Sequence, residues 1–304
     1  MKLLRTGVIL LLSMLWAIVA GLVFADPASA RVEVTDTAGA TQLRAKYVAL
    51  RDQLADSPFQ RPLALNSIQS PGSLKGDVYA LVDHPFPKVG SALDSAESWC
   101  DVLILHLNVK HCSVAPGAGG DILTAHLGKK HSQPLSQTHQ VPFRYRVAAN
   151  SPNYLQVRLG AQSGPFGTSD YEITLEAIPL DAARTFLHLS YAYKYGPAAA
   201  LAMRAYFSTA GSEKVGFTVV DRTSEGRPVR VGDVRGALER NTMRYFLAID
   251  AYLGASSAAP EAQLERRLRD WFAATERYPQ LHELEQDEYL EMKRGECRRL
   301  RAQI

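Results

Sequence analysis

Between residues 102 and 193 the chain repeats one pattern. Short segments alternate apolar and polar residues, and turn-forming residues separate them. In Val102 to Lys110, Leu103, Leu105, Leu107 and Val109 fall on one side, with Ile104, His106, Asn108 and Lys110 on the other. Phe143, Tyr145 and Val147 oppose Arg144 and Arg146; Leu155, Val157 and Leu159 oppose Gln156 and Arg158. Tyr171, Ile173 and Leu175 oppose Glu172, Thr174 and Glu176, and Arg184 to Tyr193 closes the series. A period of two is that of a strand with one buried face. Consecutive short strands of this kind predict an antiparallel sheet with one side covered. Asp121 to Leu127 is a further strand candidate, and Asp77 to Val82 an earlier one.

Outside this block the period is helical. Leu43, Tyr47, Leu50 and Leu54 share a face within residues 41–55, with Thr41 as cap; residues 31–40 are expected to lack fixed structure. Ser57 to Gly76 reads as a loop, and Lys88 to Leu93 and Ser95 to Cys100 as short helices. After Gly196 come a helix over 198–209, a short extended piece over 214–220 and a polar loop over 221–232. A long helix over 234–253 then carries Val234, Leu238, Tyr245, Ile249 and Tyr252 on one stripe. Two charged helices, 261–277 and 281–302, follow the break at 256–260. Strands in one block with helices at the ends give an α+β fold: an antiparallel sheet whose apolar face is best covered by the 234–253 helix, with extra C-terminal helices. The domain division is 1–30, 31–255 and 256–304.

The first thirty residues have the form of an export signal. Lys2 and Arg5 precede an uncharged apolar run from Gly7 to Ala25, and Ala28-Ser29-Ala30 supplies the small residues of a cleavage site. Cleavage is expected after Ala30, with Val23-Phe24-Ala25 as a second site. The alternative is an uncleaved anchor, because the run is about as long as the shortest spanning helix, roughly 17–20 residues. The expected location is the periplasm of a Gram-negative bacterium, with membrane contact transient or through that anchor. Thirty-four basic and 31 acidic residues leave a small net charge, and no basic stripe with interleaved aromatics argues for nucleic acid. In an oxidising compartment Cys100 and Cys112 are close enough in sequence to pair, leaving Cys297; three reduced cysteines is the other reading.

Gly76 to Val89 (GDVYALVDHPFPKV), a strand entering a short helix through His84-Pro85-Phe86, with Trp99 in the turn beyond, resembles the opening of START-like domains. This superfamily, with the helix-grip fold, includes polyketide cyclase-like proteins. The resemblance spans about residues 65–255. It implies a bent sheet gripping the long helix around an internal cavity, and an apolar ligand within it. A concave space between sheet and helix suits a ligand on physical grounds too.

The candidate ligand-binding residues follow from that arrangement: His106, Asn108, Tyr191, Tyr193, Asn241, Arg244 and Tyr245. Asn241 and Tyr245 lie beside the apolar stripe, where they could orient a polar group. Arg244 could pair with a carboxylate or phosphate. The competing reading makes Arg240 and Arg244 a salt-bridged outer surface, with Glu239 and Asp250 as partners. His106, His111 and Cys112 lack the paired spacing of a metal site. His126, His131 and His139 match no metal framework. His188 and Ser190 share a strand face, but no nucleophile elbow surrounds the serine. No catalytic residue, metal or cofactor is therefore assigned. The leading expectation is a binding protein for an apolar or amphipathic, lipid-like molecule. Next comes an envelope protein meeting a protein partner through residues 261–302, and last an enzyme on the same scaffold.

Overall fold

A computed structural model describes residues 27–209 and 211–301 of the chain. The export signal expected over residues 1–30 lies, as far as Asp26, outside the described residues. Among the described residues no helix is long and apolar enough to cross a membrane.

Helix α1 spans Pro27–Ala55, so residues 31–40 are helical, not unstructured as expected. A hairpin follows, of β1 (Leu63–Ser70) and β2 (Ser73–Val82). Its turn holds Pro71 and Gly72, with Gly72 at φ 73°, a conformation glycine adopts without a steric penalty. Two short helices, α2 (Phe86–Leu93) and α3 (Ala96–Leu103), carry the chain to the far edge of the sheet. From there β3 (Val109–Ala115), β4 (Ile122–Leu127), β5 (His139–Ser151), β6 (Tyr154–Ser163), β7 (Thr168–Pro179) and β8 (Thr185–Tyr195) return strand by strand. The order is β1-β2-β8-β7-β6-β5-β4-β3, antiparallel throughout, with β2 closed onto β8 from Ser73↔Lys194 to Val82↔Thr185. Helix α4 (Pro197–Phe207), a ribbon of β9 (Val219–Arg222) and β10 (Pro228–Arg230), and helices α5 (Asp233–Ala255), α6 (Pro260–Glu276) and α7 (Gln286–Arg301) complete the chain.

This is the α+β helix-grip architecture, a curved sheet around the long helix α5. Leu74, Val78, Ala80 and Val82 of β2 point to the α5 side. At Gly76 a Cβ would collide with the Thr242 hydroxyl, so the missing side chain lets strand and helix approach. The opposite sheet face is also covered. Leu43 and Leu54, with Tyr47 and Leu50, pack from α1 onto Phe186, Ile178 and Tyr154 in a second core. Gly39 sits so close to the Tyr154 ring that a larger residue would displace it. That cover is partial: Arg144, Arg146, Arg158 and Glu172 on the same face stay exposed, as the alternation predicts.

Four further expectations fail for physical reasons. Val102 to Lys110 is not a strand. Val102 and Leu103 close α3, whose Ser95 cap accepts from the Ser98 N–H, and a turn then leads to β3. Every residue from Val102 to Leu107 is buried, so the alternation there separated no two faces. The loop assigned to 57–76 contains β1, disguised because polar Ser67 turns inward to Glu239. The polar loop over 221–232 contains the β9–β10 ribbon. Helix α5 is enclosed on nearly every side, not along one stripe, because Leu268, Trp271 and Phe272 of α6 and Tyr289 and Leu290 of α7 join the same core.

Candidate functional site

Alternation puts Tyr171 of β7 and Tyr191 and Tyr193 of β8 on the α5 side of the sheet, and the helix presents Tyr245 to them. The rings form a chain: Tyr171 to Tyr193 at 5.2 Å, Tyr193 to Tyr191 at 5.6 Å and Tyr191 to Tyr245 at 5.4 Å between centroids. His106, in the turn after α3, stacks on Tyr245 at 4.7 Å. The Tyr171 hydroxyl shares a 2.7 Å hydrogen bond with Thr168 Oγ1. The hydroxyls of Tyr191, Tyr193 and Tyr245 have no hydrogen-bond partner among the described residues. Burial raises the pKa of all three, which marks them as deep. Yet Tyr193, Tyr245 and neighbouring Asn241 are only half-buried. The cluster is thus deep without being sealed from solvent. Buried phenol groups ordinarily find a partner.

The polar end of this cluster begins at His106. Its Nδ1 accepts from the Asn108 backbone N–H at 3.1 Å, which leaves the proton of the neutral ring on Nε2. That Nε2 is buried without a partner. Burial, then the charges of Arg244 and Lys293, hold the ring well below the usual histidine pKa, so it is neutral. Arg244 is 1% exposed. Its Nη2 donates to Leu281 O at 3.0 Å and Glu283 at 3.1 Å, and its Nη1 lies 3.5 Å from Asn241 Oδ1. Burial lowers its pKa to about 10. Glu283 also accepts from Lys130 and, at 2.9 Å, from Lys214. Against the upward pull of burial, Lys130, Arg244 and Lys214 hold its carboxyl down to about 2. Burial and the Arg244 charge bring Lys130 down to about 7.

Six expected residues, His106, Tyr191, Tyr193, Asn241, Arg244 and Tyr245, are therefore brought into one contiguous cluster. Asn108 is not part of it: its Nδ2 donates to Gly128 O at 2.6 Å and fastens the loop after β4. Nor do His106, Asn108 and Lys110 share a strand face. Lys110 is sealed under α7, 3.2 Å from Glu296, which also pairs with Lys293. Arg244 is no outer surface residue. Glu239 and Asp250, its expected partners, instead hold Ser67, Thr218 and the Phe217 N–H, and Arg61, respectively. Lys130, Lys214 and Glu283 were invisible to sequence reasoning. They arrive from three separate loops with no shared spacing, and only the fold reports their proximity.

Cys100 and Cys112 form a disulfide with Cα atoms 5.3 Å apart, tying α3 to β3; Cys297 is buried in α7. The sulfur of Cys112 is thus committed, and the described residues contain no cluster of three metal-type ligands. His188 and Ser190 do share a face, but it is the one under α1, where His188 bonds Asp77 and Glu176 at 2.8 Å each. A cleft of about 550 Å³ between Asp94, the 119–121 turn and Arg144 includes none of the expected residues. It is an open surface feature, separate from the aromatic cluster.

No family model matches the chain, and no curated protein matches it. Solved structures overlap it in part. Norcoclaurine synthase from Thalictrum flavum is 13% identical, with 47% of this chain and 77% of that one covered and a TM-score of 0.32. The Zhui aromatase/cyclase from Streptomyces sp. R1128 is 10% identical over 69% of this chain and 94% of that one, with a TM-score of 0.32. A START superfamily protein from Mycobacterium smegmatis is 13% identical over 49% and 92%, with a TM-score of 0.29.

Proposed function

We propose that the chain is an exported binding protein that holds an apolar or amphipathic small molecule between the sheet and α5. One observation carries this reading: the hydroxyls of Tyr191, Tyr193 and Tyr245 lie deep in the fold, unpartnered by the described residues, with Tyr193 and Tyr245 still accessible. The rings of Phe143, Tyr171 and Tyr191, in contact with one another, each keep a little surface, so the cluster offers mostly hydrocarbon with a few polar contacts. Such a lining favours an oily body with one polar group. Within the cluster no hydroxyl or thiol is hydrogen-bonded to a histidine, so the arrangement supports binding ahead of nucleophilic catalysis. The Cys100–Cys112 bridge is compatible with an oxidising compartment, and the N-terminal signal pattern supports the periplasm as that compartment.

The test is purification of the full-length gene product from the periplasmic fraction without detergent, followed by N-terminal sequencing and solvent extraction. A mature start at Arg31 and a co-purifying apolar molecule, seen by mass spectrometry at near one-to-one ratio, are expected. Retention in the cytoplasm removes the export reading. An empty extract together with no uptake of added fatty acids or lipids removes the carrier reading.

A further inference from the structure

The charges at the polar end of the cleft do not balance. Lys130, Lys214 and Arg244 all converge on one carboxylate, Glu283. Arg240, one turn before Arg244 on α5, adds a fourth cation; its Nη1 donates to Val215 O at 3.1 Å, and no carboxylate among the described residues forms an ion pair with it. Arg240 and Arg244 are 4% and 1% exposed, and the Nε of each is buried without a partner. His106 Nε2 is a third unpartnered buried nitrogen. Buried cations are costly unless paired, and buried donors are costly unless bonded. Four positive groups to one negative therefore describe a site short of an anion. The contacts run from this cluster to the tyrosines without interruption: Glu283 to Arg244, Arg244 to Asn241, and then His106 stacked on Tyr245.

We propose that the ligand is an amphiphile with one anionic head, a carboxylate or phosphate monoester, held at Arg244, Arg240, Lys130 and His106 while its chain lies along Tyr245, Tyr191 and Tyr193. This rests on the binding reading above and adds the chemistry of the head. Glu283 is then a built-in competitor: it neutralises one of the cations that the head would otherwise use. Arginine and lysine together suit either oxyanion, by planar hydrogen bonds and by point charge.

Isothermal titration of the full mature protein with decanoate, decyl phosphate, decanol and inorganic phosphate separates the outcomes. The charged amphiphiles should bind at least about tenfold more tightly than decanol, as charge-assisted bonds in a buried site imply. In Lys130→Met that preference should shrink while decanol binding stays unchanged. In Glu283→Gln the charged amphiphiles should bind more tightly, with melting temperature and circular dichroism confirming an intact fold. Since Lys130 titrates near 7, the preference should also weaken as pH rises from 6 to 9. Equal binding of decanol and decanoate overturns the anionic head and leaves the cleft reading standing. Inorganic phosphate binding as tightly as decyl phosphate overturns the amphiphile in favour of a free-anion site. Binding of none of the four overturns both readings together.

Discussion

The two faces of the sheet treat buried polarity in opposite ways. Under α1, His188 is bonded at both ring nitrogens, to Glu176 and Asp77, and Tyr79 stacks on it at 4.2 Å. Glu176 also accepts from Tyr154 and Gln156, and Lys75 reaches Asp77 at 3.3 Å. On the α5 side, by contrast, His106, Arg240 and Arg244 keep unpartnered nitrogens, and three tyrosine hydroxyls have no partner among the described residues. A closed network fixes a structure, whereas an open one is completed by something outside the chain. The face with the more conspicuous Asp-His-Glu constellation is therefore the closed one, and the proposed site lies on the other.

Breaking the closed network should have the largest effect. His188→Ala leaves half-buried Glu176 without a counter-charge and buried Asp77 with only the exposed Lys75, and should destabilise the protein by roughly 3 kcal/mol in urea unfolding. The pH dependence has a definite sign. Burial opposes it, but Asp77 and Glu176 raise the His188 pKa above 6.5, so its contribution is complete below 6.5 and fades as pH rises through the raised value. The carboxyls are held below 3.8 and 4.5, so theirs is present above those values and is lost on acidification. Stabilisation from the triad should peak between about pH 4.5 and 6.5, and the fall above 6.5 should be absent in His188→Ala. A loss under 1 kcal/mol would mean that the closed network matters no more than the open one.

Removing the disulfide comes next. The bridge spans a sequence separation of 12, and a loop of that size contributes roughly 2–3 kcal/mol. It also ties α3 to β3 on either side of the turn that carries His106. Cys100→Ala/Cys112→Ala should therefore lower stability by that amount and speed amide exchange over residues 104–109, leaving the α1 face unchanged. Equal acceleration on both faces would show that the turn has no special dependence on the bridge.

Much of this contrast was legible before the fold was known. Strands with one polar side, such as 143–147 and 171–175, announced themselves by period two, and the 234–253 helix by its stripe. Tyr191, Tyr193, Asn241 and Tyr245 could be placed near one another once the resemblance to START-like domains set that helix against the sheet. Alternation fails where both sides are buried, which is why Val102 to Leu107 looked like a strand and is half helix and half turn. It fails again where a polar residue turns inward, as Ser67 does, and so β1 was hidden. The charged end of the site had no local signature. Glu283 reaches Lys130 across 153 residues of sequence and Arg244 across 39, and such proximities exist only once α6 and α7 have packed.

The smallest effects sharpen the comparison most. Tyr154 and Tyr245 are both tyrosines over the sheet, one on each face, and both are changed to phenylalanine by the loss of a single oxygen. The Tyr154 hydroxyl donates to Glu176 and accepts from Gln156 at 3.0 Å, so its removal strips a carboxylate of a donor and leaves the Gln156 amide with Glu176 alone. A cost of about 1–2 kcal/mol is expected. The Tyr245 hydroxyl meets no protein group among the described residues, so Tyr245→Phe should stay within about 0.5 kcal/mol of the parent in ligand-free protein. Its loss should appear instead as weaker binding of the amphiphiles above. If the two substitutions cost the same in stability, the hydroxyl facing α5 already has a partner and the distinction between a closed and an open face collapses.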